Sequence, residues 1–195
     1  MDNPRLEEVE DVNEKTGGFQ LIGYKGVHEF MWCNLSEKES WLENLRKVCI
    51  ARNITQLYNI GRMIGKGSFA KVHVAQRKSD NKSFAIKTIA KTKILESTRN
   101  IQSMYKEITI LRKMAHPHII KLYEVYENQM YIHLVIEYLK GGELFQRLQN
   151  KGMYSEKDAS IVITHVLEAL DYFHEKNVVH RDLKPENLIF SYYDL

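Results

Sequence analysis

A polar stretch near the end of the chain carries the side chains best suited to chemistry. Asp182, Lys184 and Asn187 bring a carboxylate, an ammonium group and an amide close together between two apolar runs. Apolar runs predict buried structure, so we expect the polar residues to form a loop that is held rigidly on both sides. Phosphoryl transfer needs parts of this kind: a carboxylate for the incoming hydroxyl, a cation for the phosphate and an amide oxygen for Mg²⁺. These three residues are therefore the candidate catalytic groups.

The whole stretch reads Val-Val-His-Arg-Asp-Leu-Lys-Pro-Glu-Asn-Leu-Ile-Phe over residues 178–190. It resembles the H-R-D-L-x-x-x-N catalytic loop of the eukaryotic protein kinases, and the resemblance runs from about Tyr58 to the end of the chain. A lysine two residues after the aspartate is typical of the serine/threonine branch. The resemblance implies ATP and Mg2+ as cofactors and catalytic roles for Asp182, Lys184 and Asn187, with Asn187 as the metal ligand.

The resemblance also gives roles to individual loop residues. Asp182 would accept the proton of the substrate hydroxyl or orient that hydroxyl, and Lys184 would lie against the γ-phosphate. His180 would pack in the catalytic core rather than act as an acid or base. Arg181 would contact a phosphorylated activation segment, which residues 1–195 do not contain.

A glycine pair marks a second candidate site. Gly65 and Gly67 lie between two strand-like runs, where glycine lets the backbone approach phosphates without a Cβ in the way. Glycine pairs are also common in hairpin turns. The family's G-x-G-x-x-G loop resembles this segment, with Ala70 here in place of the third glycine, and we expect only slightly altered loop mobility. The loop residues implied to bind the nucleotide are Ile64, Gly65, Lys66, Gly67, Ser68, Phe69, Ala70 and Val72.

The next strand supplies a lysine. Residues 83–89 alternate in polarity, which puts Ala85 and Lys87 on one face. Lys87 could be an edge-strand charge that faces water. The resemblance instead makes it the lysine that holds the α- and β-phosphates, with Ala85 leaving room for adenine. A partly buried ammonium group is costly without a partner, so this role requires an acidic residue nearby.

Glu107 is the candidate partner of Lys87. It lies on the edge of the apolar stripe of a helix predicted over residues 98–114. A surface glutamate is the ordinary interpretation, but its place twenty positions after Lys87 matches the αC glutamate of the family. The stripe itself consists of Ile101, Met104, Ile108 and Leu111.

A hairpin and the segment after it resemble the kinase hinge. Strands are predicted over residues 122–127 and 131–137, on either side of an Asn-Gln turn. The family's hinge binds adenine through its backbone, which here implies Glu137 and Leu139, with Ile136 as the gatekeeper.

Further nucleotide contacts follow from the resemblance. The sequence Gly-Gly-Glu-Leu-Phe over residues 141–145 looks like the hinge exit of the calcium/calmodulin-dependent kinase group. Glu143 there would reach ribose or a basic substrate residue. Ile189, together with Val72 and Ala85, would enclose the adenine.

The part before Tyr58 has a different character. Residues 1–16 are acidic and lack apolar periodicity, which predicts a flexible tail. Within residues 17–52, two short strands and an amphipathic helix from Ser36 resemble the last third of a pleckstrin-homology domain. That family's phosphoinositide-binding loop has no counterpart here, so we expect no membrane-lipid binding. The helix is expected to run almost straight into the kinase-like part. Its apolar stripe comprises Trp41, which is either the family's central tryptophan or simply core, with Leu42, Leu45 and Val48.

Composition excludes other classes of protein. The chain has 195 residues, of which 27% are charged, and a net charge of +3 without a Lys/Arg block, which argues against nucleic acid as a partner. Cys33 and Cys49 make no disulfide framework and favour a reducing compartment. The acidic start is unlike a signal peptide, and no apolar run reaches a membrane-spanning length. We therefore expect a cytoplasmic protein.

The combined prediction is an α+β fold. A protein-kinase-like N-lobe with an antiparallel sheet and an αC helix spans residues 58–138, and an incomplete, mainly helical C-lobe spans residues 139–195. Ser155 predicts the start of a C-lobe helix that reaches about Lys176.

The predicted function is ATP-dependent phosphorylation of serine or threonine in a protein substrate. Glu143 and Glu186 match positions where basophilic kinases bind arginines, so we expect basic residues upstream of the target. The sequence contains no Asp-Phe-Gly, so we expect a fragment that is inactive by itself. The alternative is a non-catalytic nucleotide-binding or interaction module.

Overall fold

The computed structural model describes residues 3–9, 18–23, 25–31, 35–67, 70–95 and 101–192. The chain forms two compact units. Unit 1 comprises Met1–Lys113 and Lys121–Glu137, and unit 2 comprises Met114–Ile120 and Tyr138–Leu195. The change of unit at Tyr138 falls beside the predicted end of the N-lobe.

The strands of unit 1 are β1 (Arg5–Val9), β2 (Gly18–Gly23), β3 (Gly26–Met31), β4 (Ile50–Ala51), β5 (Tyr58–Lys66), β6 (Ala70–Arg77), β7 (Ser83–Ala90), β8 (Leu122–Glu127) and β9 (Tyr131–Glu137). Across the described residues they make one nine-stranded sheet in the order β3-β2-β1-β4-β8-β9-β7-β6-β5. Neighbouring strands are antiparallel, except that the short β4 is parallel to both β1 and β8.

The helices of unit 1 are α1 (Leu35–Val48), α2 (Ile54–Leu57), α3 (Lys91–Leu95) and α4 (Ile101–Lys113). Unit 2 contains α5 (Leu144–Lys151), α6 (Glu156–Glu175) and a short 3₁₀ helix (Pro185–Asn187). Together with the sheet, they confirm the predicted α+β class. No helix in the described part of the chain is long and apolar enough to cross a membrane.

Local sequence explains several boundaries. Oδ1 of Asn128 accepts hydrogen bonds from the backbone N–H groups of Met130 and Tyr131 at 2.9 and 2.8 Å, which closes the β8–β9 hairpin. At the start of α6, Oγ of Ser155 accepts from the N–H of Asp158 at 3.1 Å and so caps the helix. The predicted hairpin and the predicted helix are both confirmed.

Two hydrophobic cores lie against the sheet, and residues of β7 and β9 alternate between them. The first core includes Phe84, Ile86 and Val135, together with Leu6, Phe19, Leu42, Tyr58 and Tyr126. The second includes Ile89, Ile132 and Leu134, together with Ile50, Met104, Ile108 and Val125. Helix α4 therefore packs through the apolar stripe that the sequence predicts.

The predicted flexible tail is wrong over residues 5–9, which form β1. Oε1 of Glu7 lies 2.6 Å from a guanidinium nitrogen of Arg52, and Oε1 of Glu8 lies 2.9 Å from one of Arg46. Leu6, the residue before Glu7, is buried in the first core. The acidic charge that argued against order is thus compensated by arginines far along the chain. The other residues of the predicted tail, except Asn3 and Pro4, lie outside the described residues.

Helix α1 differs from its prediction in three respects. It begins at Leu35, one residue before the predicted start at Ser36. Trp41 and Val48 are each 58% exposed, whereas Leu42 is completely buried. The helix also stops at Val48: β4 follows, and Asn53 has a left-handed φ of 59° before the single turn of α2. The expected straight run into the kinase-like part is therefore wrong.

The strand-strand-helix order predicted within residues 17–52 is confirmed by β2, β3 and α1. This segment joins the kinase-like part directly, because β4 pairs with β8 and Leu42 packs in the first core. The N-terminal segment is therefore part of the same compact unit as β5–β9. Its likeness to a pleckstrin-homology domain stays a prediction.

Candidate active site

The three candidate catalytic residues of unit 2 form one hydrogen-bonded cluster. Nδ2 of Asn187 donates to Oδ2 of Asp182 at 3.0 Å and to the backbone oxygen of Asp182 at 2.7 Å. Nζ of Lys184 lies 2.9 Å from Oδ1 of the same carboxylate. All three residues are exposed. The loop therefore presents an accessible carboxylate with a cation on one oxygen and an amide on the other.

The neighbours of Asp182 stabilise its charge. The hydrogen bond from Lys184 and, after it, the one from Asn187 hold the pKa of the Asp182 carboxyl below its ordinary value. Asp182 is therefore ionised at neutral pH. An ionised carboxylate accepts a hydrogen bond from a substrate hydroxyl, and its low basicity suits orientation of that hydroxyl more than early removal of the proton.

The backbone of the loop bends sharply beside the carboxylate. Arg181 has a left-handed φ of 64°, and the N–H of Asp182 donates to Nδ1 of His180 at 3.3 Å. The ring of His180 makes an edge contact with Phe173, with centroids 5.9 Å apart. His180 thus packs on α6 and accepts a loop hydrogen bond, which agrees with the structural role predicted for it. Arg181 is exposed.

A short antiparallel pairing anchors the far end of the catalytic loop. The N–H of Leu144 donates to the oxygen of Leu188 at 2.8 Å, and the N–H of Phe190 donates to the oxygen of Gly142 at 2.9 Å. Gly141 completes the pairing by donating to the oxygen of Phe190 at 2.9 Å. The residues after Asn187 are therefore held against the start of α5.

Arg147 reinforces this pairing and was missed by the sequence analysis. Its Nε donates to the oxygen of Gly141 at 2.8 Å, and one terminal nitrogen donates to the oxygen of Tyr192 at 2.6 Å. Its guanidinium carbon lies 4.1 Å from the ring centroid of Phe190. Its position in the first turn of α5 was the available signal. The helix dipole disfavours a cation there, so an arginine at that position indicates a contact with other groups.

Two nucleotide-binding candidates of unit 2 are brought together by the same pairing. Glu143 and Ile189 form an isolated antiparallel bridge. Glu143 is half-buried, whereas the side chain of Ile189 is 45% exposed. An exposed aliphatic side chain next to a carboxylate suits the apolar face and the hydroxyls of a nucleoside.

In unit 1, the glycine segment forms the turn between β5 and β6. Gly65 lies opposite Val72, and the N–H of Gly67 donates to the oxygen of Ala70 at 2.8 Å. Gly65 and Gly67 thus lie where the paired strands β5 and β6 come together. The other predicted loop residues are Ile64 and Lys66, which are exposed, and Ser68 and Phe69, which lie outside the described residues.

Lys87 lies on an interior strand, since β7 pairs with β6 on one side and with β9 on the other. The edge-strand alternative is therefore excluded. Lys87 lies opposite Val72 and Leu134, and Ala85, on the same face, lies opposite Ile136. Ala85 is buried and Lys87 half-buried. The structure thus groups the predicted phosphate-binding lysine with the predicted adenine-enclosing residues of unit 1.

Glu107 is exposed on α4, and its ion pair with Lys87 stays a prediction.

At the predicted hinge, Glu137 ends β9 and its N–H donates to the oxygen of Lys121 at 3.0 Å. Ile136 and Leu139 are half-buried. The backbone of Glu137 is thus held by the residue that precedes β8.

The donor atoms suit Mg²⁺ only in part. Both hydrogen bonds that Asn187 makes to Asp182 use its Nδ2, so Oδ1 is the atom that the amide offers to a cation. Within the described ranges no group of three or more His, Cys, Asp or Glu side chains could hold a metal ion. The residues therefore suit a metal that is bound mainly through nucleotide phosphates and water, as Mg²⁺ commonly is.

Comparison with known sequences agrees with this geometry. The family described as "Protein kinase domain" matches residues 58–194. A calcium/calmodulin-dependent protein kinase type 1 from Macrobrachium nipponense is 47% identical over 134 residues, which are 68% of this chain and 38% of that protein. A protein of the same name from Caenorhabditis elegans is 44% identical over 138 residues, which are 70% of this chain and 39% of that protein.

A human relative, serine/threonine-protein kinase DCLK3, is 40% identical over 140 residues, which are 72% of this chain and 21% of that protein. The chain thus spans well under half the length of these curated relatives. The matched residues contain every residue of the candidate site, from the glycine hairpin to the catalytic loop.

Proposed function

Because the chain belongs to the protein kinase domain family, within its serine/threonine branch, we propose that its site transfers the γ-phosphoryl group of Mg-ATP to a serine or threonine hydroxyl of a protein. The observation that supports this most strongly is the cluster in which Lys184 and Asn187 each contact the carboxylate of Asp182. That cluster provides a hydroxyl acceptor, a cation and an amide oxygen on one short loop.

Asp182 receives the hydrogen bond of the substrate hydroxyl. As the new O–P bond forms and the bond between the γ-phosphorus and the bridging oxygen breaks, the hydroxyl proton passes to the Asp182 carboxylate and the leaving group is ADP. The contacts from Lys184 and Asn187 keep the carboxylate ionised and in one orientation before transfer. Much of the catalysis then consists of positioning.

Lys184 and Asn187 also act on the phosphate. The ammonium group of Lys184, close to the carboxylate that binds the hydroxyl, compensates charge on the γ-phosphoryl oxygens. Oδ1 of Asn187 would hold one Mg²⁺, which when bound neutralises charge between the β- and γ-phosphates. Because an amide is neutral, this residue by itself is a weak metal ligand.

The nucleotide is held by groups that unit 1 presents on one face of its sheet. Lys87 binds the α- and β-phosphates, and the hairpin at Gly65 and Gly67, whose backbone can approach them without a Cβ, covers them. Buried Ala85 leaves space for adenine, which the backbone of the hinge binds. Glu107 on α4 pairs with Lys87 and offsets the cost of its partial burial.

The polypeptide of residues 1–195 by itself is expected to bind nucleotide without measurable turnover. It contains no Asp-Phe-Gly, and the single amide of Asn187 cannot replace a carboxylate at the metal. In α6 the apolar side chains of Ile163 and Leu167 are 56% and 59% exposed. Such exposed side chains favour association of the isolated polypeptide. A nucleotide-binding module without catalysis is therefore the second candidate for this polypeptide alone.

The proposed protein substrate carries basic residues before its target hydroxyl. Exposed Glu186 lies within the catalytic loop, and half-buried Glu143 forms a backbone bridge with Ile189 at the end of that loop. Arginine binds carboxylates with two parallel hydrogen bonds, so such a pair favours arginine-containing peptides. The relatives named protein kinases support a protein as the substrate.

The experiment is a radiolabelled-ATP transfer assay on a serine peptide with upstream arginines. The natural protein that contains this chain is expected to label the peptide, and its Asp182→Asn variant is expected to lose about 10²–10⁴-fold in rate, since a general base contributes that much. Exposed Asp171→Asn on α6 is the matched control and should label normally. Equal labelling by the Asp182→Asn variant would show that the catalytic carboxylate lies elsewhere.

A further inference from the structure

We propose that an N-terminal brace, made of Asn3, Val48 and Cys49, fixes the rotation of α4 and makes Arg112 a positioning residue for Glu107. The inference rests on the proposed function in one respect, the role of Glu107 beside Lys87. The brace belongs to the part of the chain before Tyr58, which the catalytic assignment does not use.

Arg112 is the centre of the contact. Its Nη1 donates to the oxygen of Val48 at 2.7 Å, and its Nη2 donates to the oxygen of Cys49 at 2.6 Å. These oxygens lie at the C-terminal end of α1, where the last carbonyl groups of a helix have no partner within the helix and carry the negative end of its dipole. The guanidinium of Arg112 on α4 therefore caps the C-terminal end of α1. This contact joins the end of α1 to the side of α4.

Asn3 makes the second attachment. Its Nδ2 donates to Oγ1 of Thr109 at 2.9 Å and to the oxygen of Tyr105 at 3.2 Å. Its Oδ1 accepts from Nη1 of Arg112 at 2.8 Å. One amide side chain thus bridges three residues of α4, spaced four and then three positions apart, which is the spacing of a single helix face.

Buried Glu127, at the end of β8, connects α4 to the sheet. Its Oε1 accepts from the hydroxyl of Tyr105 at 2.7 Å and lies 2.5 Å from Nζ of Lys91 on α3. A nitrogen of Arg5 on β1 lies 3.5 Å from the same oxygen. The side chains of Glu127 and Lys91 are only 8% and 19% exposed, so solvent screens their ion pair little, whereas Arg5 is half exposed. The brace therefore contacts a helix that is already tied to the sheet at Tyr105.

The geometry of a helix explains why these contacts matter for Glu107. Residues advance by about 100° around the axis, so the brace contacts at 105, 109 and 112 fall on one flank of the apolar stripe and Glu107 falls on the other flank. Met104 and Ile108 pack between them in the second core. If α4 rotated about its axis and broke the brace contacts, Glu107 would change its position relative to the sheet. Attachments over two turns oppose that rotation.

The burial of Arg112 supports a permanent contact. Burial lowers the pKa of its guanidinium, and Arg112 Nε lies in the interior without a hydrogen-bond partner. A buried cation of this kind is costly unless its other donors are satisfied. Among the residues that the structure describes, its hydrogen bonds go to the three brace residues. Displacement of the brace would leave these guanidinium donors without their acceptors, so the brace and the orientation of α4 are coupled.

The test uses residues 1–195 with three readouts: Mg-ADP affinity by calorimetry, amide hydrogen exchange over residues 101–113, and the midpoint of thermal unfolding. The main variant is Asn3→Ala, a mild change at the start of the chain, and the second is Arg112→Lys. The matched controls are Asn44→Ala, whose side chain bonds to Ser40 and Lys47 within α1, and Arg52→Lys, whose ion pair with Glu7 does not involve α4.

In both variants, exchange over residues 101–113 should become faster and Mg-ADP affinity should fall, by about fivefold if the loss equals one ordinary hydrogen bond. The controls should match the parent. In a Glu107→Gln background, the effect of Asn3→Ala on affinity should disappear, because the brace acts through that carboxylate. A role in stability alone would lower the unfolding midpoint without changing affinity.

Unchanged exchange over residues 101–113 in both variants would overturn the brace. Unchanged affinity, or an Asn3→Ala effect that persists beside Glu107→Gln, would overturn the positioning role. Failure of the proposed function is seen separately: in that case Lys87→Met leaves Mg-ADP binding intact, while the exchange measurement still reports on the brace.

Discussion

Nδ2 of Asn187 lies 3.0 Å from Oδ2 of Asp182 and 2.7 Å from the backbone oxygen of the same residue. One amide thus fixes both the carboxylate and the backbone that carries it. The 3₁₀ turn that follows Lys184 makes this possible, because the N–H of Asn187 donates to the oxygen of Lys184 at 2.9 Å. The orientation of the catalytic carboxylate is therefore set within the loop.

Replacement of Lys184 should raise the pKa of Asp182. The lysine hydrogen bond is the largest cause of the lowered pKa, so Lys184→Met should bring the carboxyl closer to its ordinary value. Because folding lowers the pKa of Asp182, its contact with Lys184 stabilises the folded state. This stabilisation is fully present above the ordinary pKa of about 3.9, and it is lost as the pH falls through the pKa of the folded protein. A carbon-detected NMR titration of the Asp182 carboxyl measures this shift.

Asn187→Ala should give a smaller shift in the same direction, because its hydrogen bond is the second cause. Lys176→Met is the control, since Lys176 lies over the ring of Tyr172 and away from the carboxylate. An Asp182 pKa that is the same in the parent and the Lys184→Met variant would contradict the cluster.

Gly141 should not tolerate a side chain. An added Cβ would overlap the backbone oxygen of Tyr192 and the Cβ of Phe190, which belong to the strand that anchors the catalytic loop. Gly141→Ala is expected to destabilise unit 2 by about 1–3 kcal/mol, the usual cost of overpacking. Chemical denaturation measures the change.

Gly23→Ala is the matched control for this substitution, because nothing lies within 4 Å of a Cβ added there. It should leave the denaturation midpoint nearly unchanged. Equal midpoints for Gly141→Ala and the parent would mean that the pairing of residues 141–144 with residues 188–190 is looser than described.

Much of this fold could be predicted from local signals. The Asn-Gln turn fixes the β8–β9 hairpin because the side chain of Asn128 satisfies two backbone N–H groups, and Ser155 starts α6 for the same reason. The catalytic cluster was predicted because its three residues are close in sequence. Signals that depend on neighbouring residues are visible without the fold.

The rest depended on distant partners. Strand β1 is ordered because Glu7 and Glu8 find arginines on later elements, and no local pattern shows that. The sequence predicted Trp41 and Leu42 on the buried side of α1. Only Leu42 is covered by the first core, whereas Trp41 is exposed. Asn3 gave no signal at all, because its three partners lie more than a hundred residues away.

The exposure of Trp41 can be measured by fluorescence. In a Trp32→Phe background, Trp41 is the remaining tryptophan, and its 58% exposure predicts red-shifted emission and efficient quenching by acrylamide. Addition of guanidinium chloride should change its emission little. A blue-shifted, protected Trp41 would mean that this face of α1 is covered in solution.

The substrate preference can be tested on the natural protein that contains this chain. A peptide library should show arginine three residues before the phosphorylated serine or threonine. Glu186→Gln and Glu143→Gln should each weaken that preference, because charge-assisted hydrogen bonds contribute about 1.5–3 kcal/mol. Glu168→Gln on α6 is the control. A proline-directed or acidic preference would contradict the assignment.

Nucleotide binding by residues 1–195 tests the central claim most directly. Calorimetric titration with Mg-ADP should show saturable binding of one nucleotide per chain. Lys87→Met should abolish it, because Lys87 is the interior-strand lysine assigned to the phosphates. Exposed Lys47→Met on α1 should bind as the parent does. Equal binding by the Lys87→Met variant, or no saturable binding by the parent, would contradict the account.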